Sequence, residues 1–98
     1  MENIFQVKDK TGRKIIMLPT LWSHITKRHP HMANFLEEIK EAIKNPNKIT
    51  DTSSDINVRY YYKYYKHKES QNKYILVIVK YLNGEGFVIS KYFVNNIK

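Results

Sequence analysis

Residues 74–94 read YILVIVKYLNGEGFVISKYFV, and this stretch decides the fold. Two runs rich in β-branched and aromatic residues flank the tetrapeptide NGEG, whose composition is typical of a tight turn. The first run, Tyr74 to Leu82, is apolar on both faces, as expected of a strand in the middle of a sheet. The stretch therefore predicts a central β-hairpin.

Further strands are predicted on both sides of this hairpin. The tyrosine-rich segment NVRYYYKYYKH, residues 57–67, favours a long strand that completes a three-stranded antiparallel meander. The segment KITDT, residues 48–52, is compatible with a short strand. Near the N-terminus, Ile4–Lys8 and Lys14–Leu18 flank the turn signal DKTG and predict a second hairpin.

Two helices are predicted before the meander. Apolar residues recur every three or four positions between Met32 and Ile43, so this helix has one apolar face to pack on a sheet. A shorter helix opens at Pro19 and stops near His29, because the residue before a proline disfavours helical geometry. The predicted fold is α+β: two N-terminal helices on an antiparallel sheet, made of the C-terminal meander with an additional N-terminal hairpin. We expect a single domain over residues 1–98.

Composition and charge predict a cytoplasmic protein with a polyanionic partner. The chain has 17 Lys and Arg against 9 Asp and Glu, a formal net charge of +8, and nucleic acid is the commonest partner of such a field. The absence of cysteine excludes thiolate catalysis and cysteine-ligated zinc. No apolar run approaches the roughly 20 residues of a membrane span. The start, MENIFQVKDK, lacks the layout of a signal peptide, and no cofactor is expected.

Strand alternation assigns side chains to the two faces of the sheet. In the last strand, one face is expected to carry Val88, Ser90, Tyr92 and Val94, and the other Phe87, Ile89, Lys91 and Phe93. In the long strand, tyrosines lie on both faces, so the pattern does not decide which face meets the helices. Tyrosines with interspersed basic residues are typical of a surface that stacks nucleobases. They are equally typical of packed strands whose hydroxyls stay in water, and both interpretations remain open.

Three of the four histidines lie within LWSHITKRHPHM, residues 21–32. A metal site is disfavoured, because His24 and His29 are five residues apart, about 140° around a helix, and no acidic ligand is near. Proton transfer is the better functional use, since an unperturbed imidazole both gives and takes protons near neutral pH. His31 is interpreted as a solvated residue at the start of the second helix. Capping and solvation remain the alternative for the other two histidines as well.

The order of five motifs resembles that of a known nuclease superfamily. These motifs are LWSHITKRHPHM, IKNPNKI, RYYYKYY, YILVIVKY and GFVISKYF. They resemble the compact phage- and bacterium-associated nucleases of the barnase–EndoU–colicin–RelE superfamily, from about Leu21 to Tyr92. The resemblance implies helices on a curved antiparallel sheet and metal-independent cleavage of RNA. Members often act as toxins against translation or transfer RNA.

The resemblance also implies a set of site residues. The implied catalytic residues are His24, His29, Arg59, Ser90 and Tyr92. The two histidines would act as base and acid in unresolved order, and Arg59 would hold the phosphate. Ser90 and Tyr92 stand where many relatives have Thr-x-Tyr, and they would orient the phosphate. The candidate RNA-binding residues are Arg28, Tyr61, Tyr62, Lys63 and Lys80.

The resulting hypothesis is a metal-independent endoribonuclease of the toxin or phage-effector type, acting on tRNA or mRNA. Two alternatives remain open: a non-catalytic RNA-binding module on the same basic, tyrosine-rich sheet, and a protein-interaction domain for an acidic partner. Acidic residues do not form a segment that could neutralise the site. Any inhibitor is therefore expected to be a separate acidic antitoxin or immunity protein.

Overall fold

The structure, a computed structural model, describes residues 3–28, 30–52, 54–64 and 73–95. The elements in chain order are β1 Phe5–Lys8, β2 Lys14–Met17, α1 Pro19–Arg28, a 3₁₀ helix Pro30–Phe35, α2 Leu36–Lys44, β3 Lys48–Asp51, β4 Val58–Tyr64, β5 Tyr74–Leu82 and β6 Glu85–Val94. The fold is α+β, as predicted. Within the described ranges, no helix is long and apolar enough to cross a membrane.

The β5–β6 hairpin forms the centre of the sheet, as the sequence predicts. Its loop is Asn83-Gly84, and both residues have positive φ angles, 54° and 84°. Positive φ at both central residues is typical of the type I′ turn, whose twist matches that of the flanking strands. β4 pairs antiparallel with the other side of β5, and β3 pairs with β4 at the edge of the sheet. The meander and the short strand are therefore confirmed, and the predicted end of the long strand, residues 65–67, lies outside the described residues.

The sheet has six strands, in the order β1-β2-β6-β5-β4-β3, rather than a three-stranded meander with a hairpin beside it. β1 and β2 form the predicted hairpin, but β2 runs parallel to β6. The sheet is therefore mixed, and the prediction of an antiparallel sheet is corrected. The pairing involves Ile15 and Ile16 of β2 with Gly86 and Phe87 of β6. A Cβ atom at position 86 would lie 2.5 Å from Cδ1 of Ile15, so the glycine makes this close approach feasible.

Both α-helices pack on one face of the sheet. The buried helical residues are Ile25, Ile39, Ala42 and Ile43, and they share one cluster with Tyr61, Ile75, Val77 and Val79 of the sheet. The apolar stripe of the second helix is thus confirmed, although α2 begins at Leu36 rather than at Met32. The preceding residues, Pro30–Phe35, form the more tightly wound 3₁₀ helix instead.

A buried carboxylate connects the β1–β2 turn to the middle of the sheet. The hydroxyl of Tyr81 donates a 2.8 Å hydrogen bond to Oδ2 of Asp9, and the hydroxyl of Tyr61, 3.3 Å from the same oxygen, donates to that of Tyr81. Burial acts to raise the pKa of Asp9, but hydrogen bonds from Thr11, Tyr81 and nearby amides outweigh it and lower the pKa. The core face of β4 is therefore fixed by a satisfied polar network.

A candidate active site between α1 and β6

A cleft of about 170 Å³ lies between α1 and β6. It is lined by Leu21, His24, Ile25 and Arg28 of α1 and by Ile89, Ser90, Lys91 and Tyr92 of β6. β2 pairs with the start of β6, whereas α1 lies across the cleft from residues 89–92 of that strand. The cleft therefore brings an imidazole, a guanidinium, an ammonium and two hydroxyls to the same place.

The helical side of the cleft follows from the spacing of α1. His24 and Arg28 are four residues apart and so lie on the same side of the helix, and both are exposed. Ile25, next to the imidazole, is buried in the core and holds the helix against the sheet. Arg28 is in the last turn, where a positive charge interacts favourably with the helix dipole.

A β-bulge sets the side-chain directions on the strand side of the cleft. The register with β5 shifts between Val88 and Ser90, so Ile89 has no direct partner on that strand. Strict alternation predicts that Val88 lies on the same face as Ser90. In the structure Val88 is instead buried on the core face, together with Lys91, and Phe87 correspondingly lies on the opposite face. The alternation predicted for this strand is therefore wrong before the bulge. Bulges often occur beside active sites, because they redirect side chains.

Lys91 is the candidate functional residue that the sequence reasoning missed. It pairs with the fully buried Val77 on the helix-covered face, and only 9% of the residue is exposed. Burial lowers the pKa of its ammonium to about 8, and Nζ lies 5.0 Å from the centre of the Phe93 ring. Among the described residues, no carboxylate forms an ion pair with it. The available signal was a single lysine among the apolar residues at 87, 89 and 93.

Four of the predicted site residues meet in this cleft. They are His24, Arg28, Ser90 and Tyr92. The sequence separates the first pair from the second by more than sixty positions, so the fold alone brings them together. His29 lies outside the described residues, and its predicted role stays a prediction.

Arg59 and Tyr61 do not line the cleft. The Arg59 side chain lies 3.6 Å from Oδ1 of Asp51 through Nε, and its guanidinium is 5.5 Å from the centre of the Tyr81 ring. Tyr61 is 1% exposed, and its hydroxyl belongs to the Asp9 network. A side chain buried in this way does not contact RNA, so its predicted RNA-binding role is corrected.

The other predicted RNA-binding residues of the sheet also lie away from the cleft. Lys63 donates a 2.8 Å hydrogen bond to the carbonyl oxygen of Asn45, at the C-terminal end of α2. Nζ of Lys80 is 3.4 Å from Oδ2 of Asp55. Tyr62 lies on the sheet face opposite the helices, where it borders a separate groove but is only 1% exposed, so its predicted RNA-binding role is corrected as well.

The arrangement in the cleft suits chemistry on a phosphodiester. Arg28 and Lys91 can bind the phosphate oxygens, the hydroxyls can donate to them, and the imidazole can transfer a proton. In the part of the chain that the structure describes, no three His, Asp or Glu residues are grouped so as to hold a metal ion. A small basic α+β fold with such a cationic, histidine-bearing cleft has the features of a protein that acts on nucleic acid.

The comparison with protein families identifies the chain. Residues 2–97 match the model of PBECR2, the phage-Barnase-EndoU-ColicinE5/D-RelE like nuclease2 family. The match covers nearly the whole sequence, so the chain belongs to this nuclease family, and the resemblance seen in its motifs is confirmed. Neither the comparison with curated proteins nor the one with solved structures gave a match.

Proposed function

We propose that the protein is a metal-independent endoribonuclease whose active site is the cleft between α1 and β6. The observation that carries the proposal is the convergence of His24, Arg28, Ser90 and Tyr92 with the buried Lys91. Membership of a nuclease family supports a nucleic acid as the substrate. The net charge of +8 supports binding of a polyanion.

The proposed reaction is transfer of a phosphodiester to the neighbouring ribose hydroxyl. The 2′-oxygen forms a bond to phosphorus, a base accepts its proton, and an acid protonates the 5′-oxygen as its bond to phosphorus breaks. His24 and His29 fill these two roles, in an order that the test in the Discussion resolves. Arg28 and Lys91 bind the non-bridging oxygens and stabilise the charge of the phosphorane. The hydroxyls of Ser90 and Tyr92 donate hydrogen bonds to the same oxygens.

The product and the metal dependence test this reaction directly. Cleavage should continue in excess EDTA and leave a 2′,3′-cyclic phosphate, because neither step requires a metal ion. An oligonucleotide with 2′-deoxyribose at the cut site should stay intact, since it lacks the nucleophile. The measurement is mass spectrometry of the products from matched RNA and deoxy-substituted oligonucleotides. Activity that is lost on chelation and restored by a divalent ion would contradict the proposal.

The pH dependence tests the role of Lys91. Its lowered pKa predicts that kcat/KM falls as pH rises through about 8, because the ammonium loses its charge. Lys91→Arg should move this alkaline limb to higher pH, because a guanidinium stays protonated. Initial rates on a fluorogenic RNA from pH 5 to 10 measure the effect. The same pH profile is measured for His24→Ala and Arg28→Ala, because these two residues of α1 face Lys91 and their contribution to the profile must be separated from that of the lysine. A rate that rises through pH 8 would make the lysine a base rather than a phosphate ligand.

The biological setting that fits this activity is that of a toxin or phage effector. A basic ribonuclease acting in the cytoplasm on tRNA or mRNA would stop translation, and a separate acidic antitoxin or immunity protein would neutralise its charge. The non-catalytic RNA-binding module remains the second candidate, and it is favoured by the tyrosine-lined groove on the other face of the sheet. Binding of RNA without cleavage in the product assay would identify it.

A further inference from the structure

The sheet face opposite the helices carries a groove of about 520 Å³. Its lining includes Tyr60 and Tyr62 of β4, Leu76 and Ile78 of β5, and Tyr92 and Val94 of β6. The two residues from β5 form an apolar floor, and the tyrosines stand on the strands at either side. Tyr92 is exposed and Tyr60 is half-buried, so each side of the groove offers tyrosine surface to a ligand, whereas Tyr62 is buried.

The width of the groove fits one planar ring. Tyr60 pairs with Ile78, which pairs in turn with Ser90, so the strands that carry Tyr60 and Tyr92 are two strand spacings apart. Two spacings amount to about 9–10 Å. Stacking a ring between two others needs about 3.5 Å on each side, or about 7 Å in all. The groove is therefore wide enough for a nucleobase to enter edge-on, with Tyr60 on one side and Tyr92 on the other.

The groove and the candidate active site are continuous. Tyr92 lines both of them, and 54% of this residue is exposed. A strand of RNA whose phosphate lies in the cleft would therefore place a neighbouring base over Tyr92 and into the groove. Lys48 pairs with Tyr62 from the edge strand β3 and is exposed, so a cation flanks the groove on the side away from the cleft. This charge suits a single-stranded polyanion.

We propose that this groove is a base-binding subsite, in which the nucleobase next to the scissile phosphate stacks on the exposed ring of Tyr92 and contacts Tyr60 across the groove. The proposal rests on the proposed function, since it takes the cleft as the site of the phosphate. Its ligand class is the base of an unpaired nucleotide in single-stranded RNA. The subsite sets which unstacked position is cut, and duplex RNA should not enter it.

Binding of an uncleavable RNA tests the subsite without relying on catalysis. The probe is a fluorescein-labelled, fully 2′-O-methylated single-stranded RNA of twelve nucleotides, with its Kd measured by anisotropy. Tyr60→Ala should weaken binding about tenfold, and Tyr60→Phe should bind like the wild type because the ring is kept. Tyr64→Ala is the matched control: it is the same residue type on the same strand and face, but lies outside the groove lining.

A second measurement leaves the protein unchanged. A series of the same oligonucleotides carries one abasic residue, at a different position in each. Binding of the wild-type protein should weaken about tenfold when the abasic residue stands beside the mapped cleavage site, and hardly change at the other positions. Uniform small losses at every position, or equal losses for Tyr60→Ala and Tyr64→Ala, would overturn the subsite and leave the groove to a protein partner. If no RNA is cleaved but one position and Tyr60→Ala still weaken binding, the proposed catalytic function fails and the subsite stands.

Discussion

Replacing Lys91 with methionine is expected to lower the single-turnover rate of RNA cleavage by about 10²- to 10³-fold, while raising the free energy of unfolding. The rate falls because the phosphorane loses a cation held at the cleft, and loss of one such group usually has an effect of this size. The stability rises because methionine fills similar space in the core without a charge to bury. Rapid-quench kinetics and urea unfolding measure the two changes.

The sign of the stability change follows from the pKa of Lys91. Burial lowers it to about 8 from the ordinary 10.5, so between these values the unfolded chain binds more protons than the folded one. Stability therefore rises with pH across this interval, and below pH 8 the folded state carries the full cost of the buried charge. That cost is at most about 3 kcal/mol for such a shift. The gain from Lys91→Met should be largest at neutral pH and should disappear above about pH 10.5.

A lysine far from the cleft provides the control. Lys8 is exposed on the edge strand β1. Lys8→Met should therefore change the cleavage rate by no more than a few-fold and the free energy of unfolding by no more than a few tenths of a kcal/mol. If Lys91→Met lowers both activity and stability, the lysine is a structural residue and the phosphate site lies elsewhere. Retained activity with increased stability would show that the buried charge has no role in the reaction.

The predictable part of the fold is the part with strong periodicity or turn chemistry. The hairpin around Asn83-Gly84 and the stripe at Ile39 and Ile43 were readable because each has a local physical cause, a left-handed turn or an apolar helix face. The parallel pairing of β2 with β6 has no such signal. It joins Ile15 and Gly86, which are far apart in the sequence, and local patterns do not specify such a pairing.

The candidate site divides in the same way. His24 and Arg28 could be associated from their helical spacing, and Ser90 and Tyr92 from the motif resemblance. Lys91 could not be recognised as buried near them, because a lysine is rarely buried without a charged partner and its type favours an exposed position. The faces of β4 were undecidable for a different reason. Tyrosine is compatible with a core as well as with an open surface. Tyr61, for example, is buried and its hydroxyl contacts a buried carboxylate.

The charge pattern of the sheet illustrates why composition alone misleads. Lys63, Lys80 and Arg59 contributed to the basic appearance of the strands, yet each has a local partner in a carbonyl or carboxylate oxygen. Exposed ion pairs of this kind contribute little to stability, but they reduce the positive potential that a phosphate would meet there. The cations of the cleft, Arg28 and Lys91, have no carboxylate partner among the described residues. Positive electrostatic potential is therefore concentrated in the cleft, beside the imidazole of His24.

His24→Ala is expected to reduce the cleavage rate by about 10²-fold or more, the usual scale for losing a general acid or base. The fold should be unaffected, because His24 is exposed and outside the core cluster. Lys27→Ala is the control on the same helix, since Lys27 is exposed and does not line the cleft. His29→Ala is predicted to have an effect as large as that of His24→Ala, and His31→Ala to stay within a few-fold of the wild type. Single-turnover kinetics with thermal unfolding of each variant measure these effects.

A substrate with sulfur in place of the 5′-bridging oxygen then separates the acid from the base. A thiolate leaves without being protonated, so removing the general acid should hardly slow this substrate, whereas removing the base should slow it as much as the normal one. One of the two variants, His24→Ala or His29→Ala, is therefore expected to cleave the 5′-thio RNA at nearly the wild-type rate, and the histidine missing from that variant is the acid. The other variant should remain slow on this substrate. If all three histidine variants and Lys27→Ala cut normal RNA equally well, the histidines serve capping and solvation, and the cleft binds RNA through its cations without catalysing its cleavage.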